Sequence, residues 1–128
     1  MSQAIVCFVE DSDLDYEVGT MAIRLAHPEA EIVRAKCCTE GRRIIEEFVP
    51  QLIFLDLNLT RCKGFELLTH LAESYPERLR QVVVLTTSSS PNDREMALKL
   101  GASDFYTKSP DPDQYLLTVR QIASKLLS

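Results

Sequence analysis

Five residues of this chain have the types that handle a phosphoryl group or a hard cation: Glu10, Asp11, Asp56, Thr86 and Lys108. Each stands at the close of a short apolar run. Glu10-Asp11 follow residues 4–9, Asp56 follows Leu52-Ile53-Phe54-Leu55, Thr86-Thr87 close the run from Val82, and Lys108 lies just beyond Tyr106-Thr107. Three carboxylates brought together repel and raise one another's pKa unless something positive sits among them, which a divalent cation taking oxygen ligands does well. Mg²⁺ is the expected cofactor. An ammonium such as Lys108 can balance a phosphoryl oxygen and the Thr86 hydroxyl can donate to another, so the set can stabilise the charge of a group in transfer. Taken singly, an acidic loop is solvated, a strand-end Thr reflects β-propensity and a lone Lys is a surface residue. The conjunction at strand ends is what points to chemistry.

Such a set needs a scaffold that brings four strand ends together. Continuously apolar, short segments at 4–9, 51–56 and 82–86, with 31–35 and 104–106, read as strands buried in a parallel sheet. Between them the period is helical. Leu14, Val18, Met21 and Leu25 share one face, as do Ile44, Ile45 and Phe48; Phe65, Leu68, Leu71 and Ala72 mark a third helix; Met96, Ala97 and Leu100 mark a fourth, stopped by Gly101. Tyr115, Val119, Ile122 and Leu126 mark the fifth, and Ser12 or Asp13 would cap the first. Five strands alternating with five helices predict an α/β fold: a flavodoxin-like (βα)5 doubly wound, five-stranded parallel sheet, order 2-1-3-4-5, over residues 1–128 as one domain. Ligands of such sheets bind outside the carboxyl ends of the strands, where the order reverses.

The chain has 128 residues, 45% apolar and 26% charged, which suits one soluble core and leaves no room for a separate output domain. Met1-Ser2-Gln3 lead into an apolar run without a basic stretch or cleavage pattern, and no run is long enough to span a bilayer, so no signal peptide, no membrane association and a cytoplasmic location are expected. The net charge of −5 without a basic stripe argues against nucleic-acid binding. Protein partners and small anions held with a metal fit better. Cys7, Cys37, Cys38 and Cys62 show no CxxC spacing, and Cys37-Cys38 read as a strand end, so all are expected as reduced thiols.

Val9-Glu10-Asp11-Ser12, Leu55-Asp56-Leu57-Asn58-Leu59, Val84-Leu85-Thr86-Thr87-Ser88 and Lys108, with Gly64 and Gly101-Ala102 in step, together resemble the receiver domain of bacterial two-component response regulators. The likeness covers essentially the whole chain. The stretch from Leu85 to Pro91 is similar to a subgroup of stand-alone regulators paired with phytochrome-type kinases. The resemblance implies that Asp56 accepts a phosphoryl group from a histidine kinase or phosphotransfer protein, with Glu10, Asp11, Asp56 and the Asn58 backbone carbonyl holding Mg²⁺. It implies that Lys108 pairs with the phosphate, that Thr86 and Phe105 form the switch, and that a downstream protein reads the result. By the same likeness the chain is a signalling protein and not an enzyme on other substrates; it catalyses only its own phosphorylation and dephosphorylation. Leu116, Leu117, Leu126 and Leu127 exceed one buried stripe and allow a homodimer through the last helix.

Three positions depart from the family pattern. Thr60-Arg61 replace Pro-Gly after the phosphorylated strand, which is expected to loosen that turn. Ser109 replaces the proline after Lys108, so either a costly cis bond is kept or the loop runs differently. Thr87 replaces a smaller residue and narrows access to Asp56. Asp56-Leu57-Asn58-Leu59-Thr60 also echoes the nucleophile motif of haloacid-dehalogenase-type phosphatases, against which stand Asn58 in place of a general acid and the early acidic pair. A flavodoxin-like binding module is opposed by Glu10-Asp11-Ser12-Asp13, which would repel a flavin phosphate. His27 and His70 read as surface residues.

Overall fold

The computed structural model describes residues 3–127; Met1, Ser2 and Ser128, the ends of the expected 1–128 domain, lie outside the described residues. Strands β1 (Ile5–Val9), β2 (Glu31–Ala35), β3 (Leu52–Leu55), β4 (Val82–Thr86) and β5 (Asp104–Thr107) alternate with helices α1 (Asp13–Ala26), α2 (Cys38–Phe48), α3 (Gly64–Ser74), α4 (Pro91–Leu100) and α5 (Pro112–Leu126). A 3₁₀ turn, Pro76–Gln81, leads into β4. Every pairing is parallel and the order is β2-β1-β3-β4-β5, the flavodoxin-like arrangement expected from the alternation.

Successive side chains of a strand point to opposite faces, and here both faces are covered. Cys7 and Val9 of β1, with Ile53, Leu55, Val82 and Val84, pack on Ile45 of α2, Leu67, Leu68 and Leu71 of α3 and Ala97 of α4. Val6, Phe8, Leu52, Phe54, Val83 and Leu85 pack on Ala22 and Ile23 of α1 and on Tyr115, Val119, Ile122 and Ala123 of α5. Two cores on one sheet account for runs that are apolar without alternation.

The helices exist where periodicity placed them, but some faces turn the other way. Leu14, Met21 and Leu25 of α1 are more than half exposed, and the helix is buried through Gly19, Ala22 and Ile23 instead. The reason is a close approach: a Cβ on Gly19 would lie 2.7 Å from the Phe8 ring, so only a small-residue face lets α1 reach the sheet. Phe48, Met96 and Leu126 are likewise exposed, and Ala97 and Ala123 take the inner positions on α4 and α5. Leu117 of α5 is exposed while Leu116 and Leu127 are half-buried against the second core. The caps follow expectation: the Ser12 hydroxyl accepts from the Asp15 N–H at 3.2 Å, and Gly101 closes α4 at φ +117°.

The expectation of four reduced thiols is overturned. Cys38 and Cys62 form a disulfide, while Cys7 and Cys37 are free. Cys37 is the N-cap of α2 and Cys38 its first residue, not the end of a strand. The loop between β3 and α3 folds over the start of α2, joining cysteines 24 residues apart that no short spacing motif could reveal. Burial pushes the Cys7 thiol up to about 12, which leaves it inert.

Candidate functional site

Adjacent parallel strands in register bring their ends out side by side. Val9 of β1 pairs with Leu55 of β3, so the next residues, Glu10-Asp11 and Asp56, emerge together at the carboxyl edge of the sheet. One carboxylate oxygen from each of Glu10, Asp11 and Asp56 lies within 4.8 Å of the others. Glu10 and Asp56 are buried and Asp11 is half-buried. Three oxygen donors at that spacing, at one open edge, suit a hard divalent cation.

Lys108 reaches this cluster from the far side of the sheet. Its backbone N–H donates to the Thr86 carbonyl at 2.6 Å, which continues the β4–β5 pairing and aims the side chain inward. Its Nζ donates to Glu10 Oε1 at 2.6 Å, Asp15 Oδ2 at 2.8 Å and Asp56 Oδ2 at 3.2 Å. Burial disfavours the charged ammonium, yet Glu10, Asp15 and Asp56 outweigh that and hold Lys108 well above the usual lysine range. Burial pushes the Glu10 carboxyl above its ordinary value, and Lys108 draws it only partly back. Asp15 was not anticipated from the sequence. An acid in the first turn of a helix is ordinary for its effect on the helix dipole, so nothing but the fold distinguishes it.

Asp11 is set differently. Desolvation opposes its ionisation, but the Thr60 hydroxyl and N–H, donating to Oδ2 at 2.5 and 2.6 Å, outweigh that and hold its carboxyl below the ordinary range. Thr60 therefore does not loosen the turn in place of the expected proline; it ties the loop after β3 to the acidic pair. The same loop is closed by an antiparallel bridge between Asn58 and Lys63 and by the disulfide at Cys62. Asn58 begins it, donating from its N–H to Asp56 Oδ1 at 3.0 Å and from Nδ2 to the hydroxyls of Thr86 at 3.4 Å and Thr87 at 3.2 Å.

Thr86 is fully buried and Phe105 is buried in the first core. The Arg94 guanidinium lies 5.8 Å from that ring and donates to the Phe105 carbonyl at 3.0 Å, which links the ring to α4. Among the described residues no peptide bond is cis, so the loop after Lys108 runs through a trans bond to Ser109, whose hydroxyl accepts from the Asp111 N–H at 3.1 Å. His27 and His70 lie half-buried at the surface: His27 ends α1, and His70 lies 3.5 Å from Glu46 and edge-on to Tyr75. Neither belongs to the acidic cluster.

The "response regulator receiver domain" family matches residues 6–120. The crystal structure of the phosphorylated cyanobacterial phytochrome response regulator RcpA superposes with a TM-score of 0.89 at 29% identity, covering 99% of this chain and 96% of that one. The Mn²⁺-bound form of response regulator Rcp1 superposes at 0.84 with 27% identity, covering 94% and 92%. A protein-glutamate methylesterase/protein-glutamine glutaminase of Yersinia pseudotuberculosis is 36% identical over 84% of this chain, a match that spans only 31% of that protein. The chain thus spans about a third of the length of the first curated relatives it matches. With the family matching nine-tenths of the described residues and the fold shared throughout, this chain belongs to the response-regulator receiver family of two-component signalling.

Proposed function

We propose that Asp56 is the phosphoacceptor of this receiver, charged by a histidine kinase or phosphotransfer protein in an Mg²⁺-dependent reaction. The observation that carries the reading is the Lys108 ammonium, held among three carboxylates and 3.2 Å from Asp56 Oδ2, where an arriving phosphoryl oxygen would need a counter-charge. An oxygen of Asp56 attacks the phosphorus of a phosphohistidine, the P–N bond breaks, the imidazole nitrogen leaves, and an acyl phosphate forms. Glu10, Asp11, Asp56 and the Asn58 carbonyl would hold Mg²⁺, which when bound neutralises charge on the phosphoryl oxygens. Lys108 pairs with one phosphoryl oxygen and the Thr86 hydroxyl donates to another.

The phosphoryl group adds about −1.5 to −2 of charge. Thr86 exchanges its contact with Asn58 for one with the phosphate, and Phe105 and Arg94 pass the change to α4 and β5, where a downstream protein binds. The donor approaches over α1, where exposed Leu14 and half-buried Val18 flank Lys108 and Pro110 at the rim of an open cavity. Self-association through Leu117 and Leu126 of α5 is part of the same reading. Incubation with acetyl phosphate and Mg²⁺, followed by intact mass, tests it: the wild type gains one phosphoryl group and Asp56→Asn gains none. An unmodified wild type overturns the proposal.

A further inference from the structure

We infer that the Cys38–Cys62 disulfide is a redox-active site for small amino-acid-type thiols, and that its state sets how tightly the phosphoacceptor loop is held. The inference concerns regulation of the metal and phosphoryl site and so rests on the function proposed above. Its support is geometric. Both cysteines are half-buried, within reach of solvent. Cys38 also lines a surface cavity of about 160 Å³ together with Thr39, Arg42, Glu66, Leu67 and His70. Arg42 and Glu66 offer a cation and an anion to the carboxylate and ammonium of a cysteine-like thiol, and the space suits a molecule of that size.

Each sulfur has a partner ready for the reduced state. The Cys38 backbone N–H, at the start of α2, donates to Cys62 Sγ at 3.1 Å and would stabilise a thiolate there. Cys38 Sγ lies 3.4 Å from the Lys63 carbonyl, within reach for a thiol donor. Glu66 places a carboxylate oxygen within 4.8 Å of both sulfurs, where it can relay a proton.

The exchange balances as follows. An external thiolate entering by the cavity attacks Cys38 Sγ, the Cys38–Cys62 bond breaks, and the electron pair leaves on Cys62 Sγ, which takes up a proton. A second external thiolate attacks the sulfur of the thiol bound to Cys38, forming an external disulfide and releasing Cys38 as a thiolate that is protonated in turn. Two external thiols are oxidised, and one protein disulfide is reduced.

The consequence reaches Asp56 through the loop. Residues 58–63 begin two residues after Asp56, take in Thr60 on Asp11, and end beside Cys62. With the crosslink present, the loop is anchored to α2 and the acidic pair is held ready. Without it, the loop keeps only its hydrogen bonds.

The test uses the whole chain. Thiol labelling with N-ethylmaleimide after a cysteine/cystine redox series should show two reactive thiols in the unfolded oxidised protein and four after reduction, with Cys62→Ser never forming the crosslink. Mn²⁺ affinity, read by electron paramagnetic resonance, should be about fivefold weaker in the reduced protein and in Cys62→Ser, the low end of ordinary coupling between sites, and unchanged in Cys37→Ser. Reduction by cysteine should outpace 2-mercaptoethanol at equal thiolate concentration by about fivefold, the scale of an exposed ion pair, and Arg42→Ala should erase that advantage. A crosslink that opens only on unfolding, or equal Mn²⁺ affinity in both states, overturns the inference. Failure of Asp56 to take phosphate in either state would instead strike the function proposed above, because the labelling and Mn²⁺ readings do not depend on it.

Discussion

Replacing Lys108 by Met removes the one ammonium that the structure sets among Glu10, Asp15 and Asp56. Asp15 is a third exposed, so its pair with Lys108 resembles a surface pair and contributes under about 1 kcal/mol. Glu10 and Asp56 are buried, and stripping the partner from buried charges costs about 3–5 kcal/mol. Glu10 can escape part of that by binding a proton, since burial already lifts its pKa, so the expected loss sits near the lower end, about 3 kcal/mol. At a urea slope of about 2 kcal/mol/M this is a fall of about 1.5 M in the unfolding midpoint. The sign with pH follows from Glu10. A carboxyl whose folded pKa is raised carries its penalty fully above that pKa and sheds it as pH falls through it, so the variant recovers stability on mild acidification relative to wild type. Mg²⁺ should narrow the gap too, because the variant's unpaired carboxylates bind the cation more tightly; at one saturating concentration each tenfold fall in Kd adds about 1.4 kcal/mol to the variant. Urea unfolding of both proteins, with and without Mg²⁺, at neutral and mildly acidic pH, checks each part. A loss below about 1 kcal/mol without metal, or equal stabilisation of both proteins by Mg²⁺, would refute the reasoning.

Four further predictions rest on single positions. Thr60→Val removes both a hydroxyl donor and its fixed geometry at Asp11, so Mn²⁺ affinity should fall about fivefold to tenfold for the loss of about 1–1.5 kcal/mol, read by electron paramagnetic resonance; unchanged affinity would deny Thr60 its role. Gly64→Ala places a Cβ 2.4 Å from the Asp56 carbonyl oxygen and 2.8 Å from Leu57 Cα, backbone atoms that cannot step aside, and should destabilise by about 1–3 kcal/mol in urea. Gly41→Ala meets only the ends of Leu67 and Val9 at 3.2 Å and should be near neutral in the same assay, with the better helix propensity of Ala offsetting the contact. Thr87→Ala removes an exposed methyl and hydroxyl that holds Asn58 Nδ2, and should speed loss of phosphate from Asp56; equal dephosphorylation rates would show that Thr87 does not limit water.

The alternation of apolar runs with helical periods was enough to predict the sheet and its order, because a strand buried on both faces has few other ways to be written and parallel crossovers leave few topologies. The same logic placed Glu10, Asp11, Asp56, Thr86 and Lys108 at one edge, since residues that follow in-register strands must emerge together. What local pattern could not decide was orientation and long-range pairing. The stripe Leu14, Met21, Leu25 was apolar and periodic, yet α1 buries Gly19 and Ala22, because contact with the Phe8 ring is decided by steric space and not by hydropathy. Asp15 looks like any first-turn acid until β5 delivers Lys108 to it, and Thr60 looks like a lost proline until the loop sets it on Asp11. Cys38 and Cys62, 24 residues apart, are joined only because the β3–α3 loop crosses the start of α2. Chemistry at strand ends is written in the linear order of residues; which side chains complete it across the sheet is a property of distances that only the packed chain possesses.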